Sequence, residues 1–142
     1  MELENQVVSL DLAKKLKELG VEEQIDGDSL FYWGERFIKP YDINKKDNRQ
    51  EWKLYYAGVA QPILGGDIPA YTVAELLELM PKEMTDDTEN SYSFTLTKAY
   101  DFWVATWENG EYSTGEQIED RKARDCLAKM LIYLLENDLC QV

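Results

Sequence analysis

Residues 92–97, Tyr-Ser-Phe-Thr-Leu-Thr, alternate without a break: Tyr92, Phe94 and Leu96 fall on one side of an extended chain, Ser93, Thr95 and Thr97 on the other. A period of two marks a strand with one face in a core and one in water, the usual state of antiparallel sheets. The next segment, 100–107, reads Tyr-Asp-Phe-Trp-Val-Ala-Thr-Trp and is a strand with bulky apolar groups on both faces. Its facing depends on the loop after Thr97. A loop over 98–101 places Trp103, Ala105 and Trp107 on the side of Tyr92, Phe94 and Leu96. A loop one residue shorter places Phe102 and Val104 there instead. Asn109-Gly110, between Glu108 and Glu111, is a two-residue hairpin signal, because both turn positions need positive φ. With that turn, Trp107 and Tyr112 face each other as a cross-strand aromatic pair.

Three stretches carry the helical period. Ser9 to Leu19 has an N-cap serine, Leu12, Leu16 and Leu19 on one face, and Gly20 as a left-handed stop. In 69–81, Thr72 and Glu75 form a T-x-x-E capping box, and Tyr71 and Leu76 fit a hydrophobic staple. Val73, Leu76, Leu77 and Met80 share a face, and Pro81 stops the helix near Leu79. The last helix is expected over 116–137, started by overlapping capping boxes Ser113…Glu116 and Thr114…Gln117. Its apolar stripe is Ala123, Cys126, Leu127, Met130, Leu131, Leu134 and Leu135, with Asp120/Arg124 and Asp125/Lys129 as flanking i,i+4 pairs.

Two further strands are expected, 29–33 extending toward Ile38 and 52–60, joined by the charged connection 41–51. The order is α-β-β-α-β-β-β-α. With hairpin-length connections this predicts a single α+β domain over 1–142: a largely antiparallel sheet of about five strands with three helices packed on it. The stretch 61–69, with two prolines and a glycine pair, is too short and apolar for a domain linker.

Composition narrows the chemistry. The chain has no histidine, which removes Ser-His-Asp and Cys-His constellations and imidazole metal sites. Two cysteines, Cys126 and Cys140, form no CxxC and make no structural zinc site. No cofactor or metal is expected. Net charge is −13, with 13 acids and 9 bases in residues 1–71 against 15 and 6 in residues 72–142. Such a surface repels phosphate backbones, so direct nucleic-acid binding is not expected. The opening MELENQVVSL lacks the apolar core of a signal peptide, and the longest apolar run, 130–135, is far too short to span a bilayer. No membrane association is expected, and a reduced cytoplasmic setting fits.

Four blocks, VVSLDLAKKLKELGV, SLFYW, PAYTVAELLELMP and ARDCLAKMLIYLLEN, resemble blocks in small phage and prophage proteins of gut bacteria. The alternating strand, the Trp-bearing strand and DCLAKMLIYLLEN together are similar to the phage αβα-sandwich domain family. The resemblance covers about half the chain and rests on core and capping residues. It implies a fold and a phage-related origin. Segments 34–50 and 82–90 are longer than expected between such blocks and lie outside it.

Carboxylates are the hydrolytic groups that remain, and Asp26, Asp28, Asp67, Asp86, Asp87 and Asp101 lie in or near predicted loops. DGDSLFYWGE fails as a calcium loop, because Leu30 takes a ligand position. Gly65-Gly66 lacks the helix start and GK[ST] of a phosphate loop. Cys126 on the apolar stripe reads as a buried structural thiol. The strand aromatics are the better lead: Tyr100, Phe102, Trp103, Trp107 and Tyr112 form a candidate protein interface if one sheet face is uncovered. The expected function is a non-enzymatic phage or prophage accessory protein acting by protein–protein contact or homodimerisation. A metal-assisted carboxylate hydrolase is one alternative, and an acidic DNA mimic that inhibits a host nucleic-acid-binding protein is another.

Overall fold

The computed structural model describes residues 5–21, 31–37, 43–44, 50–56, 68–85, 91–109 and 112–139. Helix α1 is Leu10–Glu18, with Asp11 in its first turn and Lys15 and Lys17 in its last, each complementing the helix dipole. Gly20 follows at φ 87°, the left-handed position that glycine takes without steric cost. Strand β1 (Phe31–Phe37) pairs antiparallel with β2 (Gln50–Tyr56), from Phe31↔Tyr56 to Phe37↔Gln50. The short strand β3 (Ile68–Pro69) adds to the other side of β1. Proline has no N–H to donate, so it suits an edge position.

Helix α2 is Val73–Leu79 and begins as its local signals predict. Thr72 Oγ1 accepts the Glu75 N–H at 3.3 Å, and Glu75 Oε1 accepts the Thr72 N–H at 3.0 Å. Met80 is extended (φ −67°, ψ 133°), the conformation that a residue before proline prefers. One expected core position is not buried: Leu77 is exposed, while Leu76 and Met80 are buried and Val73 and Leu79 pack half-buried on the core.

A second sheet, in the order β4-β5-β6-β7, contains β4 (Glu83–Thr85), β5 (Ser91–Ala99), β6 (Phe102–Asn109) and β7 (Tyr112–Asp120). The fold is α+β in the expected element order, with the short strands β3 and β4 added and seven strands divided between two antiparallel sheets. Helix α3 is Ala123–Glu136.

The start of α3 is a correction. Residues 113–120 are strand, so neither Ser113 nor Thr114 caps a helix. Pairing with β6, Glu108 with Ser113 and Trp107 with Thr114, takes the segment into the ladder and outweighs the two capping signals. Between Tyr112 and Ala123 the only aliphatic residue is Ile118, too few for a helix that must bury a stripe. The chain turns instead at Asp120, whose Oδ1 accepts the Lys122 N–H at 3.0 Å.

The hairpin register is a second correction. Asn109 pairs with Tyr112, so Trp107 faces Thr114 and not Tyr112. Further along, Ala105 pairs with Ile118, so β7 carries two extra residues between these pairs. An unbroken ladder would set Glu116 opposite Ala105, which is fully buried. The bulge replaces that carboxylate with Ile118, which packs on the core.

Helix α3 lies against α1, α2, β6 and β7, and nine of its 14 residues are buried. It is therefore a central helix and not one with a single apolar stripe. Arg124 and Asp125, expected on its solvated flanks, are buried at 6% and 9% exposure. Arg124 donates to the Asn5 carbonyl, and Asp125 Oδ1 accepts the Ser9 N–H at 3.0 Å. Ser9 stands at the cap position of α1, but its side chain makes no cap bond. No described helix is long and apolar enough to cross a membrane.

Candidate protein interface

The β5–β6 hairpin settles which aromatic groups face outward. Ala99 pairs with Phe102, Lys98 with Trp103, Leu96 with Ala105 and Phe94 with Trp107. Trp103, Ala105 and Trp107 thus share the inner face with Tyr92, Phe94 and Leu96. This is the first of the two expected facings, reached with a connection of only Tyr100 and Asp101. On the outer face Ser93, Thr97 and Glu108 are exposed, and Phe102 and Val104 are half-buried.

The five expected interface residues separate accordingly. Trp107 is a correction: at 0% exposure it is a core residue, its ring 5.4 Å from that of Phe94 and tilted by 59°. Its indole N–H finds no acceptor among the described residues. Tyr112 pairs with Asn109, at the far end of β6 from Tyr100, and its side chain lies outside the described residues. Tyr100, Phe102 and Trp103 all lie at the hairpin end, Phe102 on the outer face and Trp103 on the inner. Tyr100 is 94% exposed and has φ 55°. Trp103 is half-buried, with Lys98 Nζ 5.7 Å from its ring centroid, a cation–π distance.

Sequence reasoning missed the cations beside these rings. Trp103 pairs with Asp120, which brings the β7–α3 turn and its exposed Arg121 and Lys122 to the same end of the sheet as Lys98. Lys129 joins them, with its Nζ 2.6 Å from Asp120 Oδ2. Residues 72–142 hold six basic residues in all, Lys82, Lys98, Arg121, Lys122, Arg124 and Lys129, and four of them gather here. Asp101, Glu119 and Asp120 share this end, so it is mixed in sign where the chain as a whole is strongly acidic. Strand register, which no local spacing encodes, is what unites Lys98 with Arg121.

The titration of this region follows from burial and pairing. Burial acts to raise the Asp120 carboxyl, but the Lys129 ammonium, the Lys122 N–H and both positive charges outweigh it and lower the group. The hydrogen bond that Lys129 donates to Asp120 raises Lys129 in turn. Just beneath, burial pushes the Cys126 thiol up to about 11. Its Sγ lies 3.5 Å from the Trp103 carbonyl and 3.4 Å from the Ile118 carbonyl, as a structural thiol should.

Of the carboxylates considered for hydrolysis, Asp101 is exposed in the hairpin turn, while Asp26, Asp28, Asp67, Asp86 and Asp87 lie outside the described residues, as do Gly65, Gly66 and Cys140. Among the described residues no three His, Cys, Asp or Glu side chains gather to hold a metal ion. No family model, no curated protein and no solved structure matches the chain.

Proposed function

We propose that this chain is a non-enzymatic binding protein of phage or prophage origin, working in the host cytoplasm, and that it contacts a partner protein through the β5–β6 hairpin end. Tyr100 carries the reading. A non-glycine residue at left-handed φ costs roughly 1–2 kcal/mol, and an aromatic ring 94% in water returns none of it through packing. Folding alone favours glycine or asparagine at that position. A tyrosine makes physical sense there if a second surface covers it, since tyrosine supplies large contact area at low entropic cost. Phe102 and Trp103 extend the apolar surface on either side of the tip. Lys98, Arg121 and Lys122 supply a polar rim, the usual anatomy of a binding patch.

The test is Tyr100→Gly, compared with the parent chain by light scattering and by affinity capture from host lysate. Glycine fits the backbone, so thermal stability should hold or rise while the complex or dimer is lost. A complex retained in full by Tyr100→Gly would sink the reading, as would a parent chain that stays strictly monomeric and captures nothing.

A further inference from the structure

A second constellation lies at the first turn of α3, where segment 5–9 is seated. Its main chain takes part in at least four hydrogen bonds with distant residues. Arg124 donates to the Asn5 carbonyl, and the Tyr71 carbonyl accepts the Val8 N–H at 2.9 Å. The Trp33 indole donates to the Val8 carbonyl at 3.1 Å, and Asp125 Oδ1 accepts the Ser9 N–H at 3.0 Å. Val7 adds a single antiparallel bridge to Thr72. Two side chains are enclosed, Val7 and Val8, both at 0% exposure, whereas Asn5 and Gln6 are exposed.

These contacts have the form of peptide recognition by strand addition: hydrogen bonds to the ligand's main chain give affinity, and pockets for particular side chains give selectivity. The walls come from β1, the β3–α2 connection and α3, each held by its own element and none supplied by segment 5–9. The segment belongs to neither sheet, so its release would break no strand ladder. An empty groove would be costly. It would leave the buried Arg124 and Asp125 without their main-chain partners, and Arg124 Nε already finds no hydrogen-bond acceptor among the described residues, lying 3.9 Å from Asp125 Oδ1. The site therefore demands an occupant.

We infer that Arg124, Asp125, Trp33 and the Tyr71 carbonyl form a peptide-binding groove, filled in this chain by its own residues 5–9, that takes in trans an extended partner segment bearing two adjacent small β-branched residues. A tethered segment acts at an effective concentration of the order of mM, so a free peptide of the same sequence competes poorly until the resident segment is weakened.

The experiment uses the full chain carrying Val7→Ser and Val8→Ser, and a fluorescent peptide of residues 3–11. Anisotropy should show saturable binding to the substituted chain and at least ~10-fold weaker binding to the parent chain, whose tethered segment competes. A peptide with both valines replaced by serine should not bind. Absence of saturable binding to a substituted chain with native circular dichroism overturns the inference, and so does equal binding of the valine-free peptide. If the substituted chain does not fold, hydrogen exchange of the parent chain decides. The Val8 and Ser9 amides should exchange through an opening that leaves Leu127 and Leu131 in α3 protected. Exchange of all four at one common rate would mean that the segment never leaves on its own.

Discussion

The Asp125 carboxylate accepts the backbone N–H of Ser9 at 3.0 Å, joining two residues 116 positions apart. The first turn of α3 therefore sets where α1 begins, and the Ser9 hydroxyl takes no part in the cap. The sign of two substitutions follows. Ser9→Ala should change stability by no more than about 0.5 kcal/mol, because it removes no bond. Asp125→Ala should cost roughly 3–5 kcal/mol, because it leaves the buried Arg124 guanidinium without a counter-charge and the Ser9 N–H without an acceptor. Urea midpoints of the two variants measure the contrast, and equal losses would contradict it.

Thr72 is the opposite case, a cap made by its own side chain. Thr72→Ala should cost about 1 kcal/mol, the usual loss for an N-cap. Because Glu75 closes the box from the other side, Glu75→Ala and Thr72→Ala should be less than additive in a double-mutant cycle. Full additivity in denaturation would mean that the two bonds act independently.

These two helix starts also show what was legible in the sequence. The capping box, the proline stop and the alternating strand are local, and each is found where the residues place it. Ser113 and Thr114 carry an equally good local signal, yet their segment is strand, because it pairs back on Glu108 and Trp107 of β6 and a capping pattern says nothing of that partner. Arg124 and Asp125 look like surface charges from i,i+4 spacing. Only their distant partners, Asn5 and Ser9, explain why they can be buried. The candidate interface divides the same way. Trp103 and Trp107 are alike in sequence and share a face, but one lies half-buried at the hairpin end and the other fully buried in the core against Phe94. The division of the strands into two sheets follows from which edges pair, and no spacing within a strand states that.

The Asp120–Lys129 ion pair gives a pH window. Asp120 is lowered from its ordinary 3.8, so its contribution is present above that value and is lost as pH falls through the still lower folded value. Lys129 is raised from 10.5, so its contribution is present below that value and is lost as pH climbs past the folded one. The Lys129 side chain is 44% exposed, which allows solvent screening and limits the pair to at most ~1 kcal/mol. Asp120→Asn keeps an oxygen for the Lys122 N–H and removes only the charge. Its stability deficit should be flat between about pH 4 and pH 10, vanish toward both extremes, and shrink in high salt. A deficit unchanged at acid pH would assign the loss to something other than charge.

Cys126 should behave as a thiol that the fold keeps from reacting. It is fully buried, its Sγ lies near two main-chain carbonyls, and burial raises it to about 11, so almost no thiolate exists near neutral pH. In a Cys140→Ser chain, which leaves Cys126 as the single thiol, labelling by an aromatic disulfide reagent at pH 8 should be slow and should track the unfolding rate. Urea should make it immediate. The same shift predicts a stability change in alkali. The unfolded chain releases the thiol proton near 9 and the folded chain near 11, so across that interval the folded state holds the extra proton and loses stability as pH rises. The loss should reach at most ~3 kcal/mol and should be absent from Cys126→Ala, whose denaturation curve serves as the reference. Labelling of the folded chain at the rate of a free small thiol would place Cys126 at the surface and remove both expectations.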